Sequence, residues 1–257
     1  MENELNEKIL ESLDCFDAEL FPFIPFLLQD LWEMGSSSKK IIKIITNHGL
    51  DKQKLKILDI GCGKGGISIP IAKEFNAEVF GIDAIPEFID VAKQKARQWN
   101  VEDNCIYKCG DAGKEIDNLK GFNLIMLASV GPVLGNVSET LSRLESCLET
   151  DGYMVLDDCY LPDDAVSDYT RCLRESEFFD QINNSNFNMI YTSIQSPEDT
   201  AEQDEYIYGK IEQRAKELEA KYPSKKYLFE SYLKMQRQEN YALENELTNI
   251  TVLLKKK

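Results

Sequence analysis

The sequence has little of the chemistry that metal sites, nucleic-acid surfaces and disulfide scaffolds require. Among its 257 residues there is one histidine, and the seven cysteines form no Cys-x-x-Cys pair. We therefore expect neither a metal site nor a disulfide framework, and a reducing cytoplasm is the default location. The 45 acidic residues outnumber the 29 basic ones, which gives a net charge of −16. Because binding to phosphate depends on Lys and Arg, this excess argues against nucleic acid and anionic membranes as partners.

Long apolar runs are also missing. The longest, Phe21–Leu28, contains two prolines and is far shorter than the ~20 residues that a membrane-spanning helix needs. The chain begins with acidic and amide residues rather than with the basic start of a signal peptide. We therefore predict neither a membrane span nor a leader. A hydrophobic content of 43% and a charged content of 29% are typical of a globular protein.

Hydrophobic periodicity divides the chain into a helical start, an alternating middle and a helix-rich tail. Residues 1–50 are predicted to form an N-terminal helical cap, whose last helix begins at the caps Ser36–Ser38 and ends at Gly49. After residue 51, short apolar runs alternate with helical stretches, which predicts a parallel sheet covered on both faces. The predicted strands of this middle part are Ile57–Ile60, Val79–Ile82, Cys105–Cys109, Leu124–Leu127 and Tyr153–Leu156, and its predicted helices are Ile67–Phe75, Phe88–Trp99 and Val137–Leu148.

The tail is predicted to complete this domain, which we place at residues 51–257. We expect a helix between Ala165 and Phe179, a strand at Phe187–Ile194 and a closing strand at Asn249–Leu254. Residues 196–246 are predicted to form a charged helical insert, for which a lid over a substrate and simple cover for the sheet edge are equally suitable roles. The fold class is therefore α/β, with a Rossmann-like sheet of seven strands, of which five are parallel and the last two form a hairpin at one edge.

The most informative segment is Ile57–Gly66, in which a predicted strand leads into a glycine cluster and then into a helix. Gly61, Gly63 and Gly66 satisfy the pattern Gly-x-Gly-x-x-Gly, and Asp83 follows the second of these glycines by 83 − 63 = 20 residues. A carboxylate at that distance, at the end of the next strand, can accept hydrogen bonds from ribose hydroxyls. The combination predicts a site for an adenosine-containing cofactor.

Asp59 distinguishes between two kinds of cofactor, because it lies two residues before the first glycine. A dinucleotide would place its pyrophosphate at this turn, where backbone amides and a helix N-terminus attract anions. A carboxylate ~4 Å away would oppose that binding by roughly 1–4 kcal/mol, depending on the effective dielectric constant. A cofactor that carries an ammonium and a sulfonium, and no phosphate, is instead attracted by Asp59. We therefore predict S-adenosylmethionine rather than NAD.

These segments resemble the signatures of a known enzyme family. Residues 57–66 are similar to the first signature of the class I S-adenosylmethionine-dependent methyltransferases, Gly81–Phe88 to the second and Gly110–Ala112 to the third. Over about residues 36–160, the chain most resembles their small-molecule branch (type 11, or UbiE-like). The resemblance implies methyl transfer to a small-molecule acceptor by in-line displacement, and it specifies the cofactor better than the acceptor.

The resemblance also implies roles for individual residues. The backbone of the glycine turn would bind the methionine amino group with support from Asp59, and Asp83 would accept both ribose hydroxyls. Asp111 would accept the adenine amino group, although it is also a good turn former. Lys64 departs from the family pattern, and we expect it to be exposed, with contact to the methionine carboxylate as the alternative. The implied cofactor-binding residues are Trp32, Gly35, Asp59, Gly61, Cys62, Gly63, Asp83, Ala84, Asp111, Ala112, Ala128 and Ser129.

The catalytic residues are less well defined, because the cofactor supplies the activated carbon and no protein nucleophile or metal is required. A base is needed only if the acceptor must lose a proton. Asp157, Asp158 and Tyr160, around the end of the fifth strand, are the candidates, and the alternative for the two carboxylates is a solvated strand end. Ala128–Val133 lacks the Asn/Asp-Pro-Pro-aromatic signature of amine and amide methylases, which disfavours adenine or glutamine as acceptors.

Two rival functions remain open at this point. An NAD-dependent oxidoreductase is compatible with the glycine pattern alone, although Asp59 and the antiparallel-looking tail count against it. A non-catalytic S-adenosylmethionine-binding module is compatible with a site that demands no catalytic side chain. The sequence does not determine the acceptor, the methylated atom or the oligomeric state. Cys105 and Cys109, on the same face of one strand, are expected to be small buried hydrophobic residues.

Overall fold

The computed structural model describes residue 9 and residues 17–169 and 171–257, so most of the first predicted helix lies outside the described residues. The strands are β1 (Lys56–Ile60), β2 (Glu78–Asp83), β3 (Cys105–Cys109), β4 (Phe122–Ala128), β5 (Leu148–Leu161), β6 (Leu173–Arg174), β7 (Phe187–Ile194) and β8 (Thr248–Lys256). The α-helices from residue 17 onward are α1 (Ile24–Leu27), α2 (Ser38–Asn47), α3 (Ser68–Phe75), α4 (Pro86–Gln98), α5 (Ala112–Glu115), α6 (Val137–Glu145), α7 (Glu175–Asn183), α8 (Pro197–Lys221) and α9 (Lys226–Asn245).

The strands form one sheet in the order β3-β2-β1-β4-β5-β8-β7, with β6 paired to β5. Strands β1 to β5 pair in parallel along this path. The amide of Gln195 donates to the carbonyl of Asn249, and the amide of Lys257 donates to that of Asn186, so β7 and β8 run antiparallel. The predicted α/β class, with five parallel strands and a final hairpin, is confirmed. The sheet has an eighth strand because the two-residue β6, too short to leave a periodic pattern, pairs with the extended end of β5.

The described chain divides into two compact units. The sheet unit consists of Trp32–Asp158, Ser176–Ser193 and Ile250–Lys257. The helical unit consists of Cys159–Glu175, Ile194–Asn249 and the described residues of Met1–Leu31. The assignment of residues 1–50 to a cap, and of the insert 196–246 to a lid, stays a prediction.

The core of the sheet unit is built around β1. All of its residues after Lys56 are buried, as expected for a parallel strand covered on both faces. The start of the strand is tied to β4 by the buried Asn123, whose side chain accepts from the amide of Lys56 (2.8 Å) and donates to the carbonyl of Lys54 (2.8 Å). Helix α2 adds Ile41 and other apolar side chains to the same core. Strand β1 thus gives the residues that follow it a rigid support.

Helix α2 begins at the predicted place but is capped differently. Ser37 occupies the N-cap position and makes no side-chain cap hydrogen bond. The carboxylate of Glu33 accepts instead from the amide of Ser38 (3.0 Å) and from its hydroxyl. The predicted cap by a serine side chain is therefore wrong, because an acid outside the helix satisfies its first amide. Gly49 follows the helix with φ of +67°, as its predicted C-terminal position requires.

In the helical unit, the predicted helical insert is observed as α8 and α9. The ring of Phe23 packs edge-on against Phe229, with ring centroids 5.2 Å apart. The guanidinium of Arg214 makes two hydrogen bonds to Asp30, of 2.6 and 3.0 Å. These contacts hold α8 and α9 to the segment that precedes Trp32.

The segment after β5 differs from the sequence analysis in two respects. The helix expected between Ala165 and Phe179 begins only at Glu175. The guanidinium of Arg174 donates to the carbonyls of Pro162, Asp163 and Ala165, and the last of these would accept from a backbone amide in the expected helix. Cys159 and Cys172 form a disulfide with their Cα atoms 6.2 Å apart, a single bond that the sequence analysis, which expected no disulfide framework, did not predict.

In the part of the chain that the structure describes, no helix combines the length and apolarity needed to cross a bilayer.

Cys105 is buried as expected, whereas Cys109 is exposed, because it lies at the last position of β3 where the strand leaves the sheet.

Candidate functional site

Strand β1 delivers Asp59 to the carboxyl end of the sheet, directly before the glycine turn. Its side chain is 2% exposed, and no described residue donates a hydrogen bond to its Oδ2 atom. Burial raises the pKa of Asp59 to about 7, against the lowering effect of a hydrogen bond from Ser68, and the nearby charge of Asp83 raises it further. A buried carboxylate oxygen without a partner is rare and indicates a place prepared for a donor or a cation.

The glycine turn is held in a shape that side chains cannot adopt. Gly61 has φ of +64°, and a Cβ added there would lie 2.4 Å from Cγ1 of Val130, beyond the end of β4. The amide of Cys62 donates to the carbonyl of Ile82 (3.0 Å), which joins the turn to β2. Burial raises the pKa of the Cys62 thiol, so this side chain packs as a protonated thiol. The turn therefore presents backbone amides, and almost no side chain, at the edge of the sheet.

Asp83, the last residue of β2, is fixed by two backbone amides. Its Oδ2 accepts from Gly63 (2.8 Å) and its Oδ1 accepts from Ile85 (2.9 Å). Burial raises the pKa of Asp83, and these hydrogen bonds oppose that rise. Each carboxylate oxygen can accept a second hydrogen bond, so Asp83 can still receive a pair of hydroxyls. The carboxylate thus bridges the glycine turn and the β2–α4 connection, with Ala84 between them.

The third predicted segment follows β3. Oδ1 of Asp111 accepts from the amide of Gly113 (2.9 Å) and caps helix α5, whose first residue is Ala112. The ammonium of Lys114 lies 3.3 Å from the other carboxylate oxygen of Asp111. The amide of Gly110 donates to the carbonyl of Asp83 (2.9 Å). The structure thus brings Asp111 beside the end of β2, and its role as a turn former is evident while its role towards adenine stays a prediction.

The end of β4 meets β5 at Ser129, which follows Ala128. Ser129 has φ of +57°, an uncommon conformation for a residue other than glycine. Its amide donates to the carbonyl of Asp157 (3.1 Å), and its hydroxyl lies 3.5 Å from Oδ2 of the same residue. Asp157 also pairs with Lys40 (3.3 Å) and accepts from the hydroxyl of Thr251. This network fixes the left-handed turn after β4.

The three candidate bases differ in their surroundings. Asp157 is 9% exposed and is engaged by the network just described. Asp158 is exposed. Tyr160 belongs to the helical unit, where it is buried opposite Leu173 of β6. Burial raises the pKa of the Tyr160 phenol, against a hydrogen bond with Thr248 that lowers it.

The segment Trp32–Gly35 lies against the glycine turn. The indole N–H of Trp32 donates to the carbonyl of Lys64 (3.0 Å), and its ring packs against Trp99 at 5.2 Å. A Cβ on Gly35 would lie 2.8 Å from Cβ of Ser129. The structure therefore brings this segment, the turn and the end of β4 together. Whether Trp32 and Gly35 contact a cofactor stays a prediction.

Lys64 is buried, contrary to the prediction that it is exposed. Its side chain is 3% exposed, and its ammonium lies 5.1 Å from the ring centroid of Phe88. The prediction is wrong because α4 places an aromatic ring beside the turn, and the ring can accept a cation over its face.

Ser68 and Tyr107 are two polar residues of this site that the sequence analysis missed. The Ser68 and Tyr107 hydroxyls are buried and 3.1 Å apart, and Ser68 also hydrogen-bonds Asp59. A signal existed in the sequence: Gly81 lies in the interior of β2, where a glycine indicates close approach of a neighbour. In the sheet, Tyr107 is the residue paired with Gly81. Within the described residues, no group of three or more His, Cys, Asp or Glu side chains could hold a metal.

The comparison with protein families agrees with this geometry. A family model described as a methyltransferase domain matches residues 51–225, well over half of the chain. The chain belongs to the methyltransferase domain family. The predicted membership of the class I S-adenosylmethionine-dependent methyltransferases is thereby confirmed, together with their fold.

The chain is also similar in sequence to a known methyltransferase. It is 26% identical over 161 residues to a ubiquinone biosynthesis O-methyltransferase of Rickettsia akari, an alignment that covers 55% of this chain and 62% of that protein. The chain thus spans less than two thirds of this relative.

Solved structures of methyltransferase fold match nearly the whole chain. A methyltransferase of Thiobacillus denitrificans, in complex with S-adenosylhomocysteine, has a TM-score of 0.73 at 15% identity and covers 91% of this chain and 98% of its own. The YjhP protein of E. coli has a TM-score of 0.72 at 15% identity and covers 91% of this chain and 100% of its own. These likenesses describe the fold.

Proposed function

We propose that this chain transfers the methyl group of S-adenosylmethionine to a small-molecule acceptor. The observation that carries the proposal is the buried carboxylate of Asp59, whose Oδ2 atom has no donor among the described residues. An ammonium group fits that oxygen, because it supplies both a hydrogen bond and the opposite charge. A pyrophosphate at the same turn would be repelled by it. The cofactor, when bound, supplies an electrophilic methyl group.

The chain's own residues would bind and orient this cofactor. Asp59 and the backbone of Gly61–Gly63 would hold the amino end. Asp83, already fixed by two amides, would accept the ribose hydroxyls in a bidentate manner. Asp111 and Ala112 would hold the adenine. The remaining proposed contacts, around the methionine and sulfonium, are Trp32, Gly35, Cys62, Ala84, Ala128 and Ser129.

A proton acceptor is needed only for acceptors such as hydroxyls. Of the predicted candidates we favour Asp158, which is exposed on β5. Asp157 serves better as a support for Ser129, because its carboxylate is already engaged by Lys40 and Thr251. The name of the Rickettsia relative, a ubiquinone O-methyltransferase, supports a small molecule as acceptor. The net charge of −16 disfavours nucleic acid.

Cofactor binding is tested by Asp83→Ala. Loss of hydrogen bonds to a charged group should weaken binding of S-adenosylhomocysteine about 10- to 100-fold, measured by isothermal titration calorimetry. The matched control is Asp103→Ala, which removes an exposed carboxylate from a turn and should bind like the parent. Circular dichroism checks that both variants are folded. An unchanged affinity in Asp83→Ala would reject the site.

Two further measurements distinguish the rivals. A thermal-shift comparison of NADH with S-adenosylhomocysteine should show stabilisation by the latter alone, whereas stabilisation by NADH would indicate an oxidoreductase. Release of labelled S-adenosylhomocysteine in the presence of a metabolite extract would demonstrate transfer to a small molecule. Tight cofactor binding without release, across extracts of metabolites, protein and RNA, would indicate the non-catalytic module.

A cytoplasmic location is part of the proposal. Cys62, Cys105, Cys109 and Cys147 are free thiols, and Cys109 is exposed, which supports a reducing compartment, whereas the Cys159–Cys172 disulfide counts against one. Fractionation of the native cells, with the chain followed by antibody, checks this location. Recovery in a membrane or secreted fraction would contradict it.

A further inference from the structure

A buried tyrosine approaches the glycine turn from the side of β3. The phenol of Tyr107 is 4% exposed, and two glycines leave room for it. A Cβ on Gly81 would lie 2.6 Å from the Tyr107 ring, and a Cβ on Gly65 would lie 3.0 Å from its hydroxyl. Any other residue at Gly81 would displace the ring. The tyrosine hydroxyl is therefore located beneath the turn by the local absence of two side chains.

Ser68 connects this hydroxyl to Asp59. Ser68 is fully buried at the start of α3, and its Oγ lies 3.1 Å from the Tyr107 hydroxyl. The same Oγ hydrogen-bonds the carboxylate of Asp59. A serine hydroxyl has a single proton, which an ionised Asp59 must receive, so Tyr107 donates to Ser68 and Ser68 donates to Asp59. The three groups form a directed chain of donors that ends on the carboxylate.

The direction of this chain matters because it favours one charge state of Asp59. Hydrogen bonds donated to a carboxylate stabilise its ionised form. Of the titratable groups that face Asp59, Cys62 in the turn, Cys105 on β3 and Tyr107 all have a raised pKa and stay protonated at neutral pH. Asp83, on β2, contributes a repulsive charge. The hydrogen bonds from Tyr107 to Ser68 and from Ser68 to Asp59 therefore favour the ionised form of Asp59, whereas burial and the charge of Asp83 favour its protonated form.

We propose that Ser68 and Tyr107 are positioning residues that hold Asp59 ionised and oriented, with Oδ2 towards the amino group of S-adenosylmethionine. The inference rests on the proposed function, since it concerns the same site. The hydrogen bond from Ser68 occupies one carboxylate oxygen of Asp59, and Oδ2 is left for the ligand. In the molecules in which Asp59 is protonated before binding, the carboxyl group releases its proton to the solvent when the ammonium binds. The affinity therefore falls as the pH falls below about 7.

The test measures the affinity for S-adenosylhomocysteine between pH 5.5 and 9, by calorimetry in two buffers of different ionisation enthalpy. Ser68→Ala should weaken binding about 3- to 10-fold at pH 7. It should also move the midpoint of the pH dependence upward, so that the affinity difference from the parent is largest near pH 7 and smaller at higher pH, where Asp59 is ionised in both proteins. Tyr107→Phe, which keeps the ring, should shift the midpoint in the same direction by less. Proton release on binding should move with the midpoint.

Control variants distinguish a failure of this inference from a failure of the proposed function on which it rests. Tyr208→Phe removes a hydroxyl from another buried tyrosine, in the helical unit, and should leave the pH profile unchanged. Asp59→Asn should weaken binding and abolish proton release. If Asp59→Asn binds like the parent, the proposed cofactor site itself is rejected. If it weakens binding while Ser68→Ala and Tyr107→Phe keep the parental midpoint, or lose affinity equally at every pH, the positioning role alone is rejected. Should Ser68→Ala fail to fold, Tyr107→Phe decides the question.

Discussion

At the scale of single residues, Asp59 is expected to cost the protein stability in exchange for binding. The folded state raises the pKa of Asp59 from 3.8 to about 7. A raised pKa in a carboxyl group means that ionisation opposes folding. The penalty is absent well below pH 4, where both states are protonated, grows between about pH 4 and 7, and is constant above 7, where both states are ionised. The ligand, which favours the ionised form, removes the penalty on binding.

The variant Asp59→Asn should therefore be more stable than the parent without ligand. We expect a gain of roughly 1–4 kcal/mol in the free energy of unfolding at pH 8, and a smaller gain at pH 5. Urea denaturation at both values measures the difference. Asp204 and Glu239 in the helical unit also have a pKa raised to about 7, so the comparison is between variant and parent at each pH. An equal gain at both values would contradict the assignment.

Alanine substitutions at Gly61 and Gly209 test whether the glycine turn needs its glycine. Gly61→Ala would place a Cβ 2.4 Å from Val130 in a backbone with φ of +64°, whereas a Cβ on Gly209 meets nothing within 4 Å. Gly61→Ala should lower both the stability and the affinity for S-adenosylhomocysteine. Gly209→Ala, inside helix α8, should stabilise the protein by up to about 1 kcal/mol and leave the affinity unchanged. Thermal melts and calorimetry check both. Parental affinity in Gly61→Ala would show that the turn does not need its glycine.

At the scale of elements, helix α2 depends on a cap supplied from outside the helix. Glu33 accepts two hydrogen bonds from Ser38 and is held in the segment that lies against the glycine turn. The same helix carries Lys40, which pairs with Asp157 (3.3 Å). Helix α2 thus links the segment Trp32–Gly35 to Asp157 of β5, and we expect its N-terminus to affect the geometry of the site.

Glu33→Ala should destabilise the protein by about 0.5–2 kcal/mol, the usual effect of losing an N-terminal cap. Ser37→Ala is the matched control: it occupies the N-cap position without a side-chain cap hydrogen bond, and we expect a change of less than ~0.5 kcal/mol. Urea denaturation at pH 7 measures both. A larger effect in Ser37→Ala than in Glu33→Ala would contradict the observed cap.

At the scale of the whole molecule, the excess of 45 acidic over 29 basic residues produces mutual repulsion in the folded state. Salt screens this repulsion over a Debye length of about 10 Å at 0.1 M. The midpoint of thermal unfolding should therefore rise by a few degrees between about 10 mM and 300 mM NaCl. A neutral osmolyte series at constant salt separates screening from general stabilisation. A midpoint that falls with salt would show that attractive ion pairs prevail over net repulsion.

Elements whose signals lie within a short stretch of chain were predictable. The strands β1 to β4 and the helices between them follow from local periodicity and from turn residues, because a buried parallel strand needs a continuous apolar run. The helix expected between Ala165 and Phe179 could not be predicted correctly, because its residues make contacts with parts of the chain outside the local pattern. Leu173 and Arg174 pair with β5 as strand β6, and the Arg174 side chain donates to the carbonyl of Ala165.

The sequence by itself determined the family, the parallel sheet and the positions of Asp59 and Asp83, because each depends on spacing between consecutive strands and turns. Only the tertiary structure decided which distant groups surround those positions. Tyr107 reaches the glycine turn across β2 because Gly81 has no side chain, and Thr251 meets Asp157 because β8 lies beside β5. Burial and hydrogen-bond partners set the charge of a carboxylate, and they are properties of neighbours in space rather than in sequence.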